Sequence, residues 1–162
     1  MKYSISTLGK LLLVVTVLGI GTISSLHAQD NNKKKDSFER TYNNSLQTVE
    51  YGNFKFSANL IYDGMQREKN LSTLKINNSQ LEGSLLPFSD NETGLIQLNK
   101  QALREYKVYS DERNKIIEVS FNTTVHNFNY QFKIKIMPNG NSILNVINNR
   151  DSIEYRGIIE RI

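Results

Sequence analysis

The chain has no cysteine and only two histidines among its 162 residues. No disulfide can form, so stability must come from core packing and hydrogen bonding. There is no thiol to act as a nucleophile, and no cysteine to carry a lipoprotein anchor. One histidine, His27, falls in a segment expected to be removed, which leaves His126. A zinc site made of one imidazole and carboxylates would be poor ligation. A serine triad would have to use His126, and no Gly-x-Ser-x-Gly elbow surrounds any serine. The glycine patterns of phosphate and dinucleotide loops are missing as well. No catalytic residue, metal ligand or cofactor is assigned on this basis.

Long hydrophobic runs are also scarce. The one apolar run, residues 11–20, is about half the roughly 20 residues that a spanning helix needs. It follows Lys2 and Lys10 and is followed by Ser24, Ser25, Leu26, His27 and Ala28. A basic start, a short apolar centre and a small-residue exit make a secretory signal peptide. Residues 1–28 are therefore expected to be cleaved after Ala28, although Leu26 makes the cut site imperfect. The protein is expected to be exported, to a periplasm or outside the cell, with no stable membrane span after cleavage.

Charge is limited once the signal is gone. The net charge of +4 loses Lys2 and Lys10 and becomes +2. The one basic run, Lys33, Lys34 and Lys35, has no aromatic neighbours, which argues against nucleic-acid binding. Residues 29–35 read as a polar, disordered leader. Residues 36–162 are long enough for a single domain with a real core.

That domain opens with a helix signal. Asp36 or Ser37 can cap, and Asp36 with Glu39 has capping-box spacing. Phe38, Tyr42, Leu46 and Val49 recur at helical intervals and are expected on one face. Gly52 is a natural stop because it accepts left-handed backbone. From Asn53 onward the period becomes two. Phe54 and Phe56 alternate with polar residues. Short runs follow at 71–76, 80–86, 95–98 and 106–109. Clearer ones lie at 116–123, 129–137, 142–147 and 152–159. Tyr130, Phe132, Ile134 and Ile136 share one face; Gln131, Lys133 and Lys135 share the other.

The separators are turn residues. Met137, Pro138, Asn139, Gly140 and Asn141 read as a tight hairpin. Residues 148–151 and 111–114 read the same way. About eight or nine strands joined by short turns imply a mainly β fold. The expected form is an antiparallel up-and-down meander, closed into a barrel or curled as a sheet, with one N-terminal helix.

Several segments occur together in a recognisable order. They are Gly52 to Phe56, Leu85-Leu86-Pro87-Phe88, Met137-Pro138-Asn139-Gly140, Asn148-Asn149-Arg150 and Ser152 to Ile158. Over about residues 36 to 160 the chain resembles an exported family of Bacteroidota, domain of unknown function 4251. The resemblance implies a lipocalin-like antiparallel β-barrel and export, in some members as a lipoprotein. The family has no established activity, so no site residue carries over. Phe88-Ser89-Asp90-Asn91-Glu92-Thr93-Gly94 departs from the glycine-rich aromatic segment of relatives. Should that loop border a ligand mouth, its specificity would differ from theirs.

Three functions compete. The first is a non-enzymatic binding domain for a small apolar ligand, a glycan or an envelope protein. Tyr42, Tyr51, Tyr62, Tyr106, Tyr109, Tyr130 and Tyr155 could line its mouth, though tyrosines straddling core and water is the commoner arrangement. The second is an envelope-glycan enzyme using paired carboxylates, which must lie about 5 to 10 Å apart. The pairs available are Asp90 with Glu92, Asp111 with Glu112, and Asp151 with Glu154; ordinary surface charge is the simpler reading of each. The third is an interaction module with a long unpaired edge strand. His126 is expected in a solvated hairpin tip. The sequons at Asn43, Asn70, Asn77, Asn91 and Asn122 reflect an asparagine-rich composition.

Overall fold

The structure, a computed structural model, describes residues 33–63, 66–69, 72–86, 95–149 and 151–162. The signal segment and residues 29–32 of the expected leader lie outside the described residues. The chain divides into two units, 1–37 and 38–162. Of the first, residues 33–37 are described, and they are helical.

Helix α1 spans residues 33–50. It begins before the Asp36 or Ser37 start that the cap signal predicts, so residues 33–35 are helical rather than leader. Its buried face is Tyr42, Ser45 and Val49, with Leu46 partly buried beside them. These positions follow the helical period. Phe38 is an exception. It sits one turn before Tyr42 but remains 43% exposed. Gly52 ends the helix with φ 66°, and its N–H donates to the Val49 carbonyl at 3.0 Å.

Ten strands follow among the described residues. They are β1 (Asn53–Asp63), β2 (Gln66–Lys69), β3 (Thr73–Asn77), β4 (Gln80–Leu85) and β5 (Ile96–Ala102), then β6 (Arg104–Asp111), β7 (Ile116–Val125), β8 (Phe128–Ile136), β9 (Asn141–Ile147) and β10 (Ser152–Arg161). The sheet order is β5-β4-β3-β1-β10-β9-β8-β7-β6, with β2 paired to β1. All pairings are antiparallel. This is the expected meander, with first and last strands paired. It forms a curled half-barrel of nine antiparallel strands along the main path, and β2 extends the pairing of β1.

The two ends of the sheet are halves of one bent segment. β5 pairs with β4, and β6, separated from β5 by Leu103 alone, pairs with β7. Two bonds hold the bend. The Leu103 N–H donates to the Ser79 carbonyl at 2.8 Å, and the fully buried Thr123 hydroxyl donates to the Ala102 carbonyl at 2.9 Å. A buried hydroxyl needs such a partner, because leaving it unpaired costs about 1–3 kcal/mol.

Bulges change which residues face inward. Phe54, Phe56 and Ala58 are buried, then Ile61, because the β1–β10 register shifts between Ala58 and Leu60. Gly157 faces this bulge, where a Cβ would lie 1.9 Å from the Ser57 carbonyl oxygen. Only glycine allows so close an approach.

The concave side is filled. Phe121 and Phe132 stack at 4.9 Å, and Tyr106 lies 6.1 Å from Phe121. The fully buried Tyr155 reaches across, and its hydroxyl accepts from the Leu86 N–H at 3.1 Å. Tyr42 and Val49 of α1 join the same core as Leu74, Leu98 and Leu144. The helix and the inward side chains thus occupy the space in which a barrel ligand would sit.

Candidate functional site

The tyrosines do not gather at a mouth. Tyr42, Tyr130 and Tyr155 are core residues, Tyr106 is half-buried, and Tyr51 and Tyr109 are exposed. Tyr51 lies beneath the Arg161 guanidinium and Tyr62 beneath that of Arg156. Rings that straddle core and water, the commoner arrangement, are Tyr62 and Tyr106.

The carboxylate pairs fare differently. Asp111 Oδ1 accepts from the N–H groups of Arg113 and Asn114, and Oδ2 accepts from Asn114 Nδ2. The Asn114 side chain, then the backbone donors, hold its carboxyl below the usual value. Asp111 therefore builds its own turn, beside an exposed Glu112. Asp151 belongs to a turn in which its N–H donates to Asn148 Oδ1. Glu154 accepts from Arg156 Nε at 2.8 Å on β10. Asp90 and Glu92 lie outside the described residues, as do the sequons at Asn70 and Asn91. His126 is exposed at the β7–β8 tip, where His126 and Asn127 both have positive φ. That is the two-residue turn matched to strand twist. Among the described residues, no three His, Asp or Glu side chains cluster as a metal site. Nor, among them, is any helix long and apolar enough to cross a membrane.

A cleft that sequence reasoning missed lies near the β7–β8 tip. Its volume is about 440 Å³. The strand register explains its lining. Arg104, Asn122, Gln131 and Ile147 form one row across β6, β7, β8 and β9. All four also line the cleft, and Asn129, Asn148 and Asn149 extend it. Glu105 enters through a bulge. The β6–β7 register shifts between Arg104 and Lys107, and Glu105 takes φ 55°. A bulge re-aims side chains, and here Arg104 and Glu105 both reach the cleft.

Hydrogen bonds organise these side chains. Asn122 Nδ2 donates to Glu105 Oε2 at 2.8 Å. Thr124 Oγ1 donates to Asn129 Oδ1 at 2.8 Å. The Arg104 guanidinium donates to the Thr124 hydroxyl and, at 3.4 Å, to Asn129 Oδ1. Side-chain amides dominate the lining, and each offers two donors and an acceptor. Glu105 is the cleft's one carboxylate among the lining residues. The signal available in the sequence was the polar alternation of β7 and β8. It marks wet positions but does not say which ones neighbour each other.

Two further clefts sit on the sheet's outer side. One of about 480 Å³ lies at β4 and β5, lined by Glu82, Ser84, Gln97 and Lys100 among others. The other, about 400 Å³, lies at β6 to β9 and includes Lys107, Tyr109, Glu118, Lys133 and Lys135.

A helix packed into the core of a curled antiparallel half-barrel, with a polar cleft on the sheet's outer face, defines a mainly β domain. The profile of the family described as Domain of unknown function (DUF4251) matches residues 36–159, and the chain belongs to that family. Its fold is similar to the crystal structure of a DUF4251 family protein from Bacteroides eggerthii. The TM-score is 0.59 at 13% identity, over 75% of this chain and 87% of that one. No curated protein matches.

Proposed function

We propose that the protein is an exported, non-catalytic binding domain whose ligand is a saccharide held in the amide-lined cleft. The observation that carries this is the row Arg104, Asn122 and Gln131, continued by Asn129, Asn148 and Asn149. Sugar hydroxyls both donate and accept, as side-chain amides do. An apolar ligand would desolvate the donors and acceptors of these amides that face the cleft without replacing their water bonds, at a cost of about 1–3 kcal/mol for each bond lost. The filled interior also favours the outside of the sheet over a barrel lumen. Export rests on the residue 1–28 signal pattern.

Glycosidase chemistry would ask for a second carboxylate across the bound sugar, and the described lining supplies Glu105 alone. Binding is therefore preferred to hydrolysis. The experiment is a glycan array probed with the protein and with Asn122→Ala and Gln131→Ala. Saccharide signals that fall about tenfold in both variants support the reading, in line with the loss of one or two good hydrogen bonds. No saccharide bound, or equal binding by the variants, sinks it.

A further inference from the structure

We infer that the saccharide is acidic and lies along an extended track on the outer face of β6, β7 and β8. This rests on the saccharide reading above and adds a charge requirement to it. The register carries it. Next to the row Arg104, Asn122, Gln131 comes Lys107, Ser120, Lys133, and then Tyr109, Glu118, Lys135. These residues line two clefts, of about 440 Å³ and about 400 Å³. The clefts therefore occupy successive rows of the same face. From Asn122 to Glu118 along β7 is about 13 Å at strand rise, so the ligand that fits is a chain of sugars.

The charges along this track do not balance. Arg104, Lys107, Lys133 and Lys135 face Glu105 and Glu118. Lys135 lies 4.0 Å from Glu118. Among the described residues no carboxylate comes within 4.0 Å of Arg104, Lys107 or Lys133. Arg104 is instead held in place by neutral groups, Thr124 and Asn129. A guanidinium fixed in geometry but not neutralised is ready for a carboxylate, which it can meet with paired donors. Tyr109, 65% exposed at the far end, offers a flat ring on which a sugar can lie. Carboxylates along a uronic-acid chain complement the three rows. An anionic lipid surface shares the charge but gives no use to the amides.

The test is affinity electrophoresis of the protein through gels holding polygalacturonate or neutral xylan, at low and high salt. Retardation by polygalacturonate about tenfold stronger than by xylan, weakened by salt as screening demands, is the expected result. Arg104→Gln and Lys133→Gln should each lose several-fold, and Lys133→Arg should keep binding. Unchanged melting of these exposed variants separates binding from folding. Equal, salt-insensitive retardation by both polymers overturns the acidic claim and leaves the saccharide reading standing. Retardation by neither overturns both. Tighter binding to phosphatidylglycerol vesicles than to polygalacturonate overturns the acidic-saccharide claim in favour of a lipid surface.

Discussion

The Tyr106 hydroxyl donates to the Val49 carbonyl at 2.6 Å, tying the last turn of α1 to β6. The bond gives the Val49 carbonyl, which already accepts from the Gly52 N–H at the helix end, a second donor. It also fixes the segment that carries Arg104 and Glu105. Tyr106→Phe should lower unfolding free energy by about 1 kcal/mol, read by urea denaturation.

The same tyrosine sets a pH dependence. Burial pushes its phenol well above the ordinary 10.0. A pKa raised in the folded state gives stability that is whole below pH 10 and is lost as pH climbs toward the folded value. Chemical unfolding midpoints should fall above pH 10, and Tyr106→Phe should flatten that fall. An unchanged alkaline limb would mean that Tyr106 is not the group responsible.

Tyr42 should behave oppositely. Its hydroxyl is buried with no hydrogen-bond partner among the described residues, while its ring lies 4.9 Å from Lys115 Nζ. Removing an unpaired polar atom from a core should help. Tyr42→Phe is expected to raise stability by about 1 kcal/mol. The two Tyr→Phe changes, side by side in one denaturant series, should move midpoints in opposite directions.

Gly157→Ala should cost about 3 kcal/mol. Its Cβ would meet the Ser57 carbonyl oxygen at 1.9 Å and the Ala58 Cα at 3.0 Å. These contacts are all β1 backbone, which leaves no flexible atom to yield, and the β1–β10 pairing that joins the ends of the meander would open. Calorimetric melting gives the comparison.

The β7–β8 tip permits a gain. His126 and Asn127 hold φ 49° and 68°. An Asn-Gly pair suits both positions, because each tolerates left-handed backbone better than the residue now there. The double change His126→Asn with Asn127→Gly is expected to gain about 1 kcal/mol. Melting temperature should rise with strand register retained.

Much of the fold was legible because side chains alternate cleanly where one face is buried. Tyr130 to Ile136 declares its strand, and Pro138 to Gly140 its turn. The bulges are another matter. Nothing local in Ala58-Asn59-Leu60 or Arg104-Glu105-Tyr106 announces a register shift, since the partner strand decides it. The short β2 escaped because its four residues carry no apolar alternation. Phe38 fits the helical period yet stays exposed, because period names a face and not what covers it. The cleft was hidden for a related reason. Asn122, Gln131 and Ile147 are far apart in sequence, and only the pairing of β7, β8 and β9 puts them in one row.

The most direct measurement is side-chain amide NMR of the ¹⁵N-labelled protein, titrated with the oligosaccharide that binds best on the array. A saccharide in the cleft should shift the NH₂ resonances of Asn122, Asn129 and Gln131 together and saturably. Core methyls such as Leu144 and Val146 should stay still. Shifts centred on the core, or silent cleft amides at saturating ligand, would contradict the assignment.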